Sequence, residues 1–170
     1  QITTGNAYKA WGAEAKGFEL VDTGSAAGLD GSIAKAYARK QGWLGYYWAP
    51  TSILGKYKMV KLDPGVPHDP VQWNDCNAKA DCANPKRNDW AKAQVYTVVT
   101  QRFKSKGGPA YDYLAKRNWD NTTVNGLLAW MSDNQATGKD GARHFLKNNR
   151  DLWQSWVTPE AAQKIQAALK

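Results

Sequence analysis

The sequence predicts an α/β fold: a mostly parallel sheet segment with flanking helices and a helical C-terminal tail. Three observations predict it. Trp43-Leu44-Gly45-Tyr46-Tyr47-Trp48 is a short aromatic and apolar run bounded by Gly42 and Pro50, which suits a strand buried on both faces. A helical pattern from Ser25 to about Gln41 separates it from the alternating Phe18–Asp22, and a crossover helix between two strands is a βαβ unit. Beyond the β-branched run Ala93–Thr100 only helix signals follow.

Taken in order, Asn6 caps a short helix that reaches Lys16 and ends at Gly17. Ser25 caps the second, whose Ala26, Leu29, Ile33, Ala36 and Tyr37 share one face. Pro50 lacks an N–H and pushes Ala49 out of helical geometry, so the aromatic strand should end at Trp48. Trp48 then sits at a strand's carboxyl end, where open α/β sheets bind ligands. One helical turn after Pro50 and a strand over Tyr57–Leu62 follow. Residues 63–92 hold four prolines and many Asn and Asp, and form a long irregular loop of the kind that serves as a lid or binding loop. Helices are expected over Pro109–Lys116, from Thr122 to about Asn134, over Lys139–Trp156, and from Thr158-Pro159-Glu160 onward, where a cap, a first-turn Pro and an acid meet the dipole's positive end. The organisation expected is residues 1–100 as a sheet-containing ligand-binding lobe, with the disulfide loop about 63–92, and 101–170 as a helical segment.

At 170 residues the chain suits one core-forming domain. Nine Trp and eight Tyr against three Phe is the unusual feature; most of these rings are expected in the core, and amphipathic rings beyond its needs often line binding surfaces. The net charge of +8 raises nucleic acid or an anionic surface as partners. The cations are scattered, however, and no RRM, KH or zinc-finger pattern occurs, so a solvated basic surface and no nucleic-acid partner are expected. No run of about 18 apolar residues is available to span a membrane. No signal peptide opens the chain, so an export signal is expected to have been removed or to lie outside it. Cys76 and Cys82, with a short polar loop between them, favour a disulfide and an extracytoplasmic location, periplasmic or extracellular.

Catalytic patterns are thin. Glu14, Glu19 and Glu160 are the only Glu residues, and none sits in an acid–base motif. Gly24-Ser25-Ala26-Ala27-Gly28 falls one residue short of a nucleophile elbow, and its Ser25 is more economically an N-cap. No phosphate-binding Gly loop, metal-ligand spacing or calcium loop is complete, so no catalytic residue, metal or cofactor is expected. His144 reads as structural. What remains is the aromatic cluster at the strand end. Ring faces attract cations, and a quaternary ammonium, which has no N–H to donate, is selected naturally by a box of rings.

Gly42–Pro50 followed by Lys56–Leu62, together with Asp22–Ala27 upstream and Trp153-Gln154-Ser155-Trp156-Val157 in the tail, resembles the glycine betaine/choline-type substrate-binding proteins of ABC importers. The similarity runs from about Gln1 to Val157 and is most specific in the Tyr-Trp-X-Pro and Gly-Lys-Tyr stretches. It implies a two-lobed fold like the type II periplasmic binding proteins, no catalysis, and a ligand ammonium held among Trp and Tyr rings. By position Trp48 matches one such ring. Tyr46 and Tyr47 point to opposite faces of the strand, so at most one of them is expected to approach the ligand, the alternative for either being core packing. Gly24, Ser25 and Trp73 complete the candidate ligand-binding set, with Trp90 as a further ring in the long loop. Some members carry His and Trp after the proline where this chain has Thr51 and Ser52, and choline and glycine betaine both stay open. The resemblance further implies an ABC permease as partner, an N-terminal lobe preceding this chain, and a swapped dimer as an arrangement open to the chain without that lobe. The alternative is a secreted carbohydrate-binding or carbohydrate-active protein using the rings as a sugar platform, which as a glycosidase would need a carboxylate pair that is not recognisable here.

Overall fold

Most helix starts follow local capping chemistry. A computed structural model describes residues 1–169. Its contacts divide the chain into two compact units, one of residues 1–47 and 59–94, the other of residues 48–58 and 95–170.

In the first unit, α1 (Ile2–Ala10) is followed by a single 3₁₀ turn, Glu14–Lys16, which Gly17 ends in the left-handed region at φ 81°. Asn6 is not the cap expected from the sequence; it lies inside α1 and is buried. α2 (Ala26–Ala38) starts where Ser25 Oγ accepts the Gly28 N–H at 3.0 Å. Gly28 itself is required there, since a Cβ would come within 2.3 Å of the Thr23 carbonyl oxygen. The long loop contains α4 (Pro70–Gln72), capped by Asp69 and running into a π-helical turn, Trp73–Asn77.

The second unit contains α3 (Ser52–Lys56), α5 (Gln101–Lys106), α6 (Pro109–Lys116), α7 (Asn121–Asp133), α8 (Gly138–Asn148), α9 (Arg150–Gln154) and α10 (Pro159–Ala168). Thr51, Thr100, Asp120, Thr137 and Thr158 cap α3, α5, α7, α8 and α10 with their side-chain oxygens. The single helix expected over Lys139–Trp156 is two, because Asn149, at φ −125° and ψ 43°, interrupts it. The core is Phe145, Trp153, Trp156 and Ala162, with Tyr113, Leu127, Leu146, Leu152, Val157 and Ile165 packed around them. Trp153 is 2 % exposed and its indole N–H donates to the Leu146 carbonyl at 2.8 Å.

The expected sheet is absent. Among the described residues no strand forms, so neither the βαβ unit nor a parallel sheet of the type II binding-protein kind is present. Phe18–Asp22, Trp43–Trp48, Tyr57–Leu62 and Ala93–Thr100 lie outside the helices as irregular chain without ladder hydrogen bonds. β-branched and aromatic runs report how well a segment fits a half-buried pleated surface; here no neighbouring strand supplies that surface. Val95 and Val98 are 95 % and 90 % exposed. The aromatic run is not buried on both faces either. Trp43 is tied to α2 by its indole N–H, which donates to Ser32 Oγ at 3.0 Å, while Leu44, Tyr46 and Trp48 are exposed.

Candidate ligand-binding site

The long loop is organised by buried amides. Asn6 Nδ2, from α1, donates to the carbonyls of Asn77 at 3.1 Å and Lys79 at 2.8 Å. Asn77 Nδ2 donates to the Lys86 carbonyl at 2.7 Å, and its Oδ1 accepts from Gln72 Nε2 at 2.9 Å. Asn88 clasps Asp69 reciprocally: its Oδ1 accepts the Asp69 N–H at 2.8 Å and its Nδ2 donates to the Asp69 carbonyl at 2.9 Å. His68 Nδ1 lies 2.8 Å from the Asp89 carbonyl oxygen, and because a carbonyl only accepts, that nitrogen carries the proton. The Cys76–Cys82 disulfide expected from the sequence is formed, with the two Cα atoms 4.7 Å apart. Residues 68–73 and 86–90 are thereby held side by side.

That arrangement gathers rings. Tyr46 and Trp90 have centroids 4.4 Å apart, Trp90 meets Trp73 edge-on at 5.1 Å, and His68 meets Trp73 edge-on at 5.4 Å. The Asp89 carboxylate adjoins the group. Its Oδ1 accepts the Trp90 N–H at 2.8 Å and faces Lys61 Nζ at 3.4 Å. The backbone hydrogen bond from Trp90, seconded by Lys61, holds this carboxyl below its ordinary range, so it is ionised at neutral pH.

The residues expected from the sequence fall in different places. Tyr46 and Trp73 belong to one cluster, joined through Trp90. Tyr47 points elsewhere, its hydroxyl donating to Asp30 Oδ1 of α2 at 2.6 Å. Gly24, at φ 71°, gives its N–H to Asp22 Oδ1 at 2.9 Å, and Ser25 Oγ is engaged at the start of α2. Trp48 is 43 % exposed and belongs to the second unit. Thr51 is committed twice, its hydroxyl to the cap of α3 and its N–H to Asn125 Oδ1 at 2.7 Å. The cluster also contains Trp90, which the sequence offers only as a further ring, and His68 and Asp89, which it does not single out for the ligand. The Asp89-Trp90 pair, an acid beside an indole in a loop that also holds His68, Trp73 and several amides, was the signal available.

Among the described residues no group of His, Cys, Asp and Glu could hold a metal ion, and no helix is long and apolar enough to cross a membrane. A family model described as the substrate-binding domain of ABC-type glycine betaine transport systems matches residues 1–148. That span takes in α1 to α8, the long loop with its rings, and the disulfide. Such families bind substrates rather than transform them, act in the periplasm or outside the cell, and have an ABC permease as partner. With the match covering all but the last helices, the chain belongs to the family of substrate-binding domains of ABC-type glycine betaine importers.

Proposed function

We propose that the chain holds a small quaternary ammonium solute, glycine betaine or choline, by its cationic head against aromatic rings. The observation that carries this reading is the Tyr46–Trp90–Trp73 cluster beside an ionised Asp89. Rings attract a desolvated cation through their faces, at about 2 kcal/mol or more per good contact; the carboxylate of Asp89, already partnered by Lys61, adds a smaller attraction. A sugar would stack on the same rings and could donate hydroxyl hydrogen bonds to Asp89, but it would gain no charge–charge attraction there. Trp48, next to Tyr47 in the chain, is proposed as a further ring. Tyr47, Gly24 and Ser25 are proposed to act through α2, which they anchor and begin. Residues 1–100 carry ligand binding in this reading, and the helical remainder supports it.

The test is isothermal titration of the full chain with glycine betaine, choline, the uncharged choline isostere 3,3-dimethylbutanol, and a trisaccharide. Saturable binding of an ammonium compound, with the isostere much weaker, is the expected result. Trp90→Ala or Trp73→Ala should each weaken it by about 30-fold, the equivalent of about 2 kcal/mol; Trp48→Ala should do the same. Binding of the trisaccharide with no response to either ammonium compound would overturn the proposal in favour of a carbohydrate platform.

A further inference from the structure

The positive charge of this chain sits almost entirely in one unit. Residues 48–58 and 95–170 contain thirteen Lys and Arg against six Asp and Glu, a net +7. Residues 1–47 and 59–94 contain ten against nine, a net +1. The ligand's charge does not call for this excess, since a cationic ligand is not drawn to Lys and Arg, and Tyr46, Trp73, Trp90 and Asp89 lie in the nearly neutral unit.

Within the basic unit, α8 is two-sided. Gly141 and Phe145 face the core, while Lys139, Arg143 and Lys147, spaced four apart, fall on its exposed face. Arg150 at the start of α9 extends the row. None of these four cations makes an ion pair among the described residues. The acids near them are Asp140, whose carboxylate accepts from the Thr137 N–H and hydroxyl at the helix start, and the exposed Asp151. At the far end of the row is an open depression of about 270 Å³ lined by Leu146, Lys147, Arg150, Trp153, Gln166 and Leu169. Leu146, Trp153 and Leu169 give it an apolar side, and two of the four cations, Lys147 and Arg150, line it as well.

From this arrangement we propose that the outer face of α8 and α9 is a docking surface for anionic phospholipid headgroups. Cations in a row attract a surface of phosphates, each contributing additively near a charged bilayer. A depression that two of them line together with Leu146, Trp153 and Leu169 accepts the upper part of an acyl chain, which a dissolved polyanion does not offer. The family's partner is a membrane permease, and a face of this kind would hold the receptor at the bilayer where that permease lies. Docking would then be tuned by lipid charge and ionic strength, separately from ligand binding.

The experiment is co-sedimentation of the full chain with vesicles of phosphatidylcholine alone or mixed with phosphatidylglycerol. Binding to the mixed vesicles only, falling as salt rises, is expected. K139Q/R143Q/K147Q/R150Q should lower the partition coefficient by about 100-fold or more. K9Q/K16Q/K35Q/R39Q, the same charge change in the other unit, should lower it far less. Leu169→Gln should weaken vesicle binding and leave retention on heparin unchanged. Circular dichroism on every variant identifies any that fails to fold. No preference for phosphatidylglycerol, or equal losses from the two quadruple variants, would overturn the proposal. Heparin or single-stranded DNA bound as tightly as the vesicles would reassign the face to soluble polyanions and overturn it too.

Discussion

Asn77 is 3 % exposed, and both polar atoms of its side chain are engaged with loop neighbours. Replacing it by Ala strands the Lys86 carbonyl and the Gln72 amide in a site where a lost partner costs about 1–3 kcal/mol each. Asn77→Ala should therefore lower the urea midpoint clearly, and Asn148→Ala, at an exposed position, should barely move it. The positions of Trp73 and Trp90 depend on the same bonds, so Asn77→Ala should also weaken ligand binding. Asp89 supplies a second prediction at this scale. Its carboxyl is depressed in the folded protein, so its charge persists at neutral and mildly acidic pH. Ammonium affinity should hold steady there and fall only as the pH passes through the carboxyl's own depressed value, below the ordinary carboxylate range, as titration at stepped pH would show. None of the buried amides was legible as such in the sequence. Asn is common in loops and caps for reasons of local hydrogen bonding, so Asn6 read as a cap and Asn77 and Asn88 read as loop filler. What fixes them is bonding to distant chain, Asn6 to residues 77 and 79, Asn77 to Lys86 and Asn88 to Asp69, a property of the fold rather than of any window of sequence.

Among the elements, α3 lies unusually close to α7. A Cβ on Gly55 would come 2.1 Å from the Asn125 carbonyl oxygen and 2.8 Å from Ala129 Cβ, and Lys56 pairs with Asp133 at 2.6 Å. Neither the backbone nor a methyl group of a packed helix can yield that much. Gly55→Ala should cost about 2 kcal/mol or more, whereas Gly31→Ala, in open space within α2, should stabilise by up to about 1 kcal/mol. Thermal melts of the two variants would separate them. The disulfide acts at this scale as well: closing so short a loop is worth about 2 kcal/mol in chain entropy, and Cys76→Ser with Cys82→Ser should show that loss in the same melts. Helices were largely legible here because their signals are local. Ser25, Thr158 with Pro159, and Gly17 did mark ends. Strands were not, because Ala93–Thr100 and Tyr57–Leu62 carry the composition of a strand but a strand also needs a neighbour, which no single segment encodes.

For the molecule as a whole, acid is the informative stress. Asp120 and Asp140 hold the starts of α7 and α8. Backbone and side-chain hydrogen bonds with Thr123 lower the carboxyl of Asp120, and bonds from Thr137 lower that of Asp140. A depressed folded value means stability that is present above the unfolded value near 3.9 and is lost as the pH falls through the folded one. Meanwhile the charge climbs from +8 toward that of 23 Lys and Arg and two His, and self-repulsion adds to the loss. The melting temperature should thus fall steeply below about pH 4. At the opposite extreme, concentrated neutral solutions put a different demand on the chain. Gln94 to Thr100 contains no charge, Gly or Pro, and Val95, Tyr96 and Val98 lie open to solvent. Such a segment is a template on which one molecule stacks the next through backbone hydrogen bonds into fibrils. Val98→Lys gives up almost no packing and interrupts that stacking, so thioflavin-positive growth on storage should slow while the melting temperature stays where it was.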